Sequence, residues 1–201
     1  MEEKILEAAE KLFLDKGFAL TTTTEIAKEA GCNQALVHYY FRTKEKLFQR
    51  IFEEKLKFFA SAFFSAGQQG NTFEERLARK IEAHFDMLAR NPKLPLLLIN
   101  ELTLHPERLT EIKANISAIP LSILHSLESD LNAEIEKGTI RPVTVFDLIL
   151  NIVSLNVFLF VSRPVVNTVL NLTEEESQKM IASRRKEIVE TILGSLRKSL
   201  E

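Results

Sequence analysis

Residues 22–44, TTTEIAKEAGCNQALVHYYFRTK from Thr22 to Lys44, decide how this chain is read. Thr22 and Glu25 have capping-box spacing, which predicts a helix from Thr23. Ile26, Ala27 and Ala30 give that helix a small apolar face. Gly31 follows where the helix must stop, because glycine takes the left-handed conformation without a Cβ clash. Asn33 is placed to cap a second helix running through Phe41. On it Val37 and Phe41 point back at the first helix, while Ala35, Leu36 and Tyr39 point away. Two short helices about a glycine turn make a helix-turn-helix, whose second helix fits the DNA major groove.

An ordinary hairpin in a helical core shares that skeleton, so the outer face has to separate the two. From Ala30 to Lys44 there is no carboxylate. Gln34, His38, Tyr39 and Tyr40 are hydrogen-bonding or stacking groups where a merely solvated helix would carry Glu and Lys. Thr43 is placed to cap the next helix, whose start carries Lys44 and Lys46 after Arg42 and offers free N–H groups to a phosphate. Base-edge contacts are expected from Gln34, Ala35, Leu36 and Tyr39, with Thr24 from the preceding helix. Phosphate contacts are expected from Thr22, His38, Tyr40 and Lys44.

The run Thr22–Thr23, Ile26–Ala27, Ala30–Gly31, Tyr40–Phe41, Lys44–Glu45 and Leu47, with Leu12–Phe13 and Gly17–Phe18 before it, resembles the DNA-binding domain of the tetracycline-repressor (TetR) family. The likeness covers residues 4–52. Asn33 stands where Ser is commoner, Ala35 where Gly or Pro is frequent, and His38 where Tyr is usual. The resemblance implies a dimer built on the last two helices, and an effector bound in the larger helical region that changes the spacing of the two recognition helices. Two such helices about 34–36 Å apart predict a palindromic operator of double-stranded DNA.

The 201 residues, 45% hydrophobic and 27% charged, fit a globular protein with a substantial core. Residues 1–66 carry 10 Lys and Arg against 10 Asp and Glu. DNA affinity must therefore come from local placement of charge rather than from a basic domain. The single cysteine, Cys32, excludes an intramolecular disulfide and suits a reducing cytoplasm; it reads as an apolar filler in the turn. Met1 leads directly into a charged amphipathic helix, with no signal peptide expected.

Ile5, Ala9, Leu12 and Phe13 form a helical stripe over residues 2–16, ended by Gly17. A fourth helix, 44–65, starts basic and ends in Phe58, Phe59, Phe63 and Phe64, a link between two regions. GQQGN at 67–71 breaks the chain. Thr72 with Glu75 forms a second capping box opening a helix to Arg90. A short apolar helix covers 94–104 and stops at His105–Pro106, and a further helical stretch, interrupted near Pro120, runs to Lys137. Residues 143–161 are the most apolar run, yet Asp147, Asn151, Ser154 and Asn156 interrupt it. A helix buried in the core or between subunits is expected, and no membrane span. Thr173 and Glu176 open a last helix with Ile181, Ile188, Ile192, Leu196 and Leu200 on one side.

None of His38, His84, His105 and His125 belongs to a metal-ligand pair, and no phosphate loop or nucleophile motif occurs, so neither enzymatic activity nor a cofactor or metal is expected. His84, Asn100, Glu101, His125 and Asn156 are the candidate polar contacts of a largely apolar small-molecule effector. The expectation is an all-α protein: a helix-turn-helix domain over 1–50 and a helical effector-binding and dimerisation domain over 51–201. It should act as a cytoplasmic, ligand-responsive repressor, homodimeric through helices 144–161 and 174–199. A helical small-molecule carrier or interaction module with a vestigial helix-turn-helix is the alternative.

Overall fold

A computed structural model of the protein describes residues 1–67, 70–107, 110 and 118–198, with the side chains at 56, 59–64 and 118–123 left aside. Among the described residues there is no strand. The helices are α1 (Glu2–Leu20), α2 (Thr23–Glu29), α3 (Gln34–Phe41), α4 (Lys44–Gly67), α5 (Phe73–Arg90), α6 (Leu94–Leu104), α7 (Ala118–Glu136), α8 (Val145–Val169) and α9 (Glu174–Leu196). They fall into two compact units, residues 1–58 with 93–117 and residues 59–92 with 118–201. The boundary after residue 58 lies inside α4, the helix expected to link the two parts, and α6 packs with α1.

In the first unit the local signals act as their chemistry requires. Thr22 and Glu25 form the reciprocal capping box that starts α2. Glu25 is held down to a pKa of about 2 by the Lys16 ammonium, then by the Thr22 hydroxyl and backbone N–H. Asn33 Oδ1 accepts the Leu36 N–H at 3.0 Å and starts α3, and Thr43 Oγ1 accepts the Lys46 N–H at 3.2 Å at the start of α4. Gly31 has φ +67°, and nothing lies within 4 Å of where its Cβ would stand. The backbone conformation, not space, demands glycine there. Gly17 (φ 83°, ψ 166°) breaks α1 three residues before its assigned end. The core is Ile5, Ala9, Phe13, Phe18, Ile26, Val37, Phe41, Leu47 and Phe48. Phe13, Phe18 and Phe48 form an aromatic triangle with centroids 5.2–5.7 Å apart. Cys32 is a partly buried free thiol packed against this core.

The second unit packs α5, α7, α8 and α9 around Leu77, Ile81, Phe85, Leu127, Leu131, Leu148, Ile152, Phe160, Ile188 and Ile192. Arg185 on α9 clamps Asp86 of α5 through two 2.8 Å bonds and reaches Glu82 at 2.7 Å, a bidentate geometry that fixes helix register. Thr173 and Glu176 form a full capping box. Thr72 and Glu75 do not: Thr72 Oγ1 accepts the Glu75 N–H at 3.1 Å, but the Glu75 carboxylate accepts from the Asn71 N–H at 2.8 Å.

Three further expectations meet the structure. α8 runs through Pro164 to Val169, well past 161. It is long and apolar enough to cross a membrane by length and composition, a test that a core helix also passes. Its burial is only partial: Leu148, Ile152, Leu159 and Phe160 face the core, while Phe146, Leu150, Val153, Phe158, Val165 and Val169 are exposed on the single chain. Phe58 is exposed, and Phe59, Phe63, Phe64 and Leu200 lie outside the described side chains. The interruption expected near Pro120 meets a helix that runs from Ala118 through Pro120 to Glu136, and residues 111–117 lie outside the described ones.

Candidate nucleic-acid interface

The face of α3 opposite Val37 and Phe41 is open. Those two side chains are 2% and 7% exposed, so α3 is seated by one edge against the core. Gln34, Ala35, His38, Tyr39 and Tyr40 are exposed, as is Thr24 on α2, and Leu36 is half-buried rather than fully outward. Tyr39 is 68% exposed and meets Tyr40 edge to face at 5.3 Å. A pair of exposed phenols suits both stacking and hydrogen bonding.

Polar groups on this face are tied to one another. Gln34 Nε2 donates to Thr23 Oγ1 at 2.8 Å and lies 3.5 Å from His38 Nε2. His38 Nδ1 lies 3.0 Å from the Arg42 carbonyl oxygen. A carbonyl only accepts, so Nδ1 carries a proton, and in that tautomer Nε2 is an acceptor. Arg42 itself sits at φ 64°, a conformation few non-glycine residues adopt, and closes α3.

Among the expected phosphate ligands, Thr22, His38 and Tyr40 are exposed, although the Thr22 hydroxyl also donates to Glu25 at 2.8 Å. Lys44 has another task. Its Nζ donates to the carbonyls of Phe18 and Thr21, both at 2.8 Å, and stands 4.2 Å from the Phe18 ring centroid. It thereby caps the turn that ends α1, adding to the Thr21 N–H that Phe18 O already accepts, at the negative end of the dipole. One N–H remains for a phosphate. Buried Thr21 ties the same turn, its hydroxyl within bonding distance of Leu12 O and Gly17 O.

The polar residues expected around an effector are divided between the two units. Asn100 and Glu101 lie on α6 in the first unit, Asn100 exposed and Glu101 buried, and His125 on α7 is exposed. His84 and Asn156 do meet, inside the second unit. Asn156 Nδ2 donates to Ile81 O at 3.3 Å and to His84 Nδ1 at 3.0 Å. Asn156 Oδ1 is buried with no hydrogen-bond partner. Burial pushes the His84 pKa down to about 4, so the ring is neutral at pH 7. Among the described residues no group of three metal-ligating side chains occurs.

Residues 5–51 match the family described as bacterial regulatory proteins, tetR family, and residues 74–192 match the tetracyclin repressor-like C-terminal domain. The chain belongs to the TetR family. It is a DNA-binding transcriptional regulator with a helix-turn-helix. The fatty acid metabolism regulator protein of Bacillus subtilis is 28% identical over 138 residues, 69% of this chain and 70% of that protein. The transcriptional activator FasR of Mycolicibacterium smegmatis is 22% identical over 163 residues, 81% and 74% of the two chains. The crystal structure of the regulator FadR from Bacillus subtilis in complex with stearoyl-CoA superposes with a TM-score of 0.72 at 22% identity, covering 98% of this chain and 100% of that one, a likeness of fold.

For this TetR-family regulator, sequence reasoning found α3 and its exposed groups but missed two partners. Thr23, eleven positions from Gln34, holds the glutamine amide, and the carbonyls of Phe18 and Thr21 take Lys44. Neither carries a local sequence signal, because both pairs form only when α1, α2, α3 and α4 close on one core.

Proposed function

We propose that this regulator is a ligand-responsive repressor that binds a palindromic operator as a homodimer in the cytoplasm and is released by a long-chain acyl effector, an acyl-CoA in the first instance. The observation that carries DNA binding is α3 itself: held by Val37 and Phe41, it leaves Gln34, Ala35 and Tyr39 outward on a stretch, Ala30 to Lys44, without carboxylates. Gln34, Ala35, Leu36, Tyr39 and Thr24 take the base edges, and Thr22 and Tyr40 the backbone, with one N–H of Lys44 in reach; His38, expected on a phosphate, has its N–H on the Arg42 carbonyl instead. Supporting the dimer is the exposed apolar side of α8, where Phe146, Leu150, Val153 and Phe158 stand in water on a single chain; an exposed patch of that kind marks an interaction surface. A second copy on α8 and α9 covers it and supplies the second reading helix.

The effector class rests on the relatives, one a fatty acid metabolism regulator and one seen with stearoyl-CoA. Within this chain the second unit is an apolar helical body, and Asn156 with His84 is the buried polar pair there that an effector group could address. The test is fluorescence anisotropy of the full-length protein with duplexes from the DNA upstream of its coding region. Low-salt binding to an inverted repeat is expected, weakened by stearoyl-CoA and not by free CoA. Binding without any response to stearoyl-CoA overturns the effector, and failure to bind any inverted repeat overturns the repressor.

A further inference from the structure

Four groups on the outer face of α3 form a chain that ends at the base-reading side chain. The Arg42 carbonyl accepts from His38 Nδ1 at 3.0 Å, which in the neutral ring leaves the lone pair on Nε2, 3.5 Å from the Gln34 amide nitrogen. On its other side the amide nitrogen lies 2.8 Å from Thr23 Oγ1. The Thr23 hydroxyl would accept the amide in either orientation, since it can both donate and accept. The imidazole lone pair would not: turning Gln34 Oε1 toward it sets two acceptors face to face. His38 therefore decides which way Gln34 faces. A primary amide has two N–H hydrogens, and its nitrogen lies within 3.5 Å of two protein acceptors, Thr23 Oγ1 and His38 Nε2, while Oε1 bonds to neither.

We infer that Gln34 reads its operator base pair as a hydrogen-bond acceptor only, with Thr23 and His38 as positioning residues that withhold both of its amide hydrogens. This rests on the reading that α3 places Gln34 at a base edge. Glutamine with a free amide pairs bidentately with adenine, accepting from N6 and donating to N7. With the donors held back, only the acceptor half of that pattern survives. The partner is then an exocyclic amino group in the major groove, which adenine (N6) and cytosine (N4) both offer and guanine and thymine lack. Gln34 thus behaves at the base as a carboxylate would, without a negative charge beside the phosphates. The operator is degenerate, adenine or cytosine, at one position in each half-site.

The experiment is selection of binding sites from a randomised operator library by the full-length protein, scored as the adenine-to-cytosine ratio at the position that Gln34→Ala relaxes. Wild type should accept both bases there and reject guanine and thymine. Thr23→Ser keeps the acceptor and should leave the ratio unchanged. Thr23→Val and His38→Phe each free one hydrogen, and one of the two hydrogens lies on the Oε1 side, where the bidentate pair needs it. At least one single variant, and the double variant, should therefore gain a preference for adenine over cytosine of about tenfold. A general loss of affinity, as a purely structural role would give, leaves this ratio where it was. A wild type that already prefers adenine by that factor overturns the inference, as does an unchanged ratio in both single variants. If Gln34→Ala relaxes no position at all, the placement of Gln34 at a base edge is what fails, and the inference with it.

Discussion

Replacing Lys44 with methionine keeps the length and apolar stem of the side chain and removes the charge. Two charge-assisted hydrogen bonds, to the carbonyls of Phe18 and Thr21 at 2.8 Å, disappear with it. So does the ammonium 4.2 Å above the Phe18 ring. Bonds to a charged donor contribute about 1.5–3 kcal/mol each, and a cation over a ring about 0.5–1 kcal/mol at an exposed site. Lys44 is only half-buried, so water re-solvates the freed carbonyls and most of that sum is recovered. A net destabilisation of about 2 kcal/mol remains, which moves a urea midpoint by about 1 M at a typical slope. The chain has no tryptophan, so far-ultraviolet circular dichroism is the probe. The companion measurement is DNA affinity against salt concentration at low urea. A lysine acting mainly on a phosphate would lower the slope of log affinity on log salt by about 1 on removal and leave the midpoint alone. An unmoved midpoint would refute the capping account; a shifted midpoint, with the slope lowered by no more than about 1 through the remaining N–H, is expected.

Stability should fall with acid through His84. Its folded pKa, about 4, lies below the ordinary value of 6.5 because burial disfavours the charged ring. The unfolded chain therefore takes up a proton first. Stability present above about pH 6.5 is lost as pH falls toward 4, by about 3 kcal/mol, and urea titrations of His84→Gln should show a flatter profile in that window. Phe158→Lys, at a side chain 70% exposed on the single chain, should leave the helical content and melting of the second unit intact. It should convert the protein to a monomer in sedimentation velocity and abolish binding to an inverted repeat; a folded dimer that still binds would sink the α8 interface.

The sequence by itself determined what depends on nearest neighbours along the chain. Thr22, Asn33, Thr43 and Thr173 cap the helices they precede, and Gly31 takes the left-handed turn, because capping and backbone sterics act over four residues or fewer. The period of Val37 and Phe41 likewise sufficed to say which edge of α3 is buried. What only the tertiary structure decided are matters between distant positions. Lys44 is drawn to carbonyls 23 and 26 residues away, and Gln34 to Thr23 eleven residues back. His84 and Asn156 meet across 72 residues. α8 is apolar on every side, so its composition could not say which side would face the core. A hydrogen bond or a buried face is chosen by whatever the packed helices bring within about 3–4 Å, and no local pattern encodes that distance.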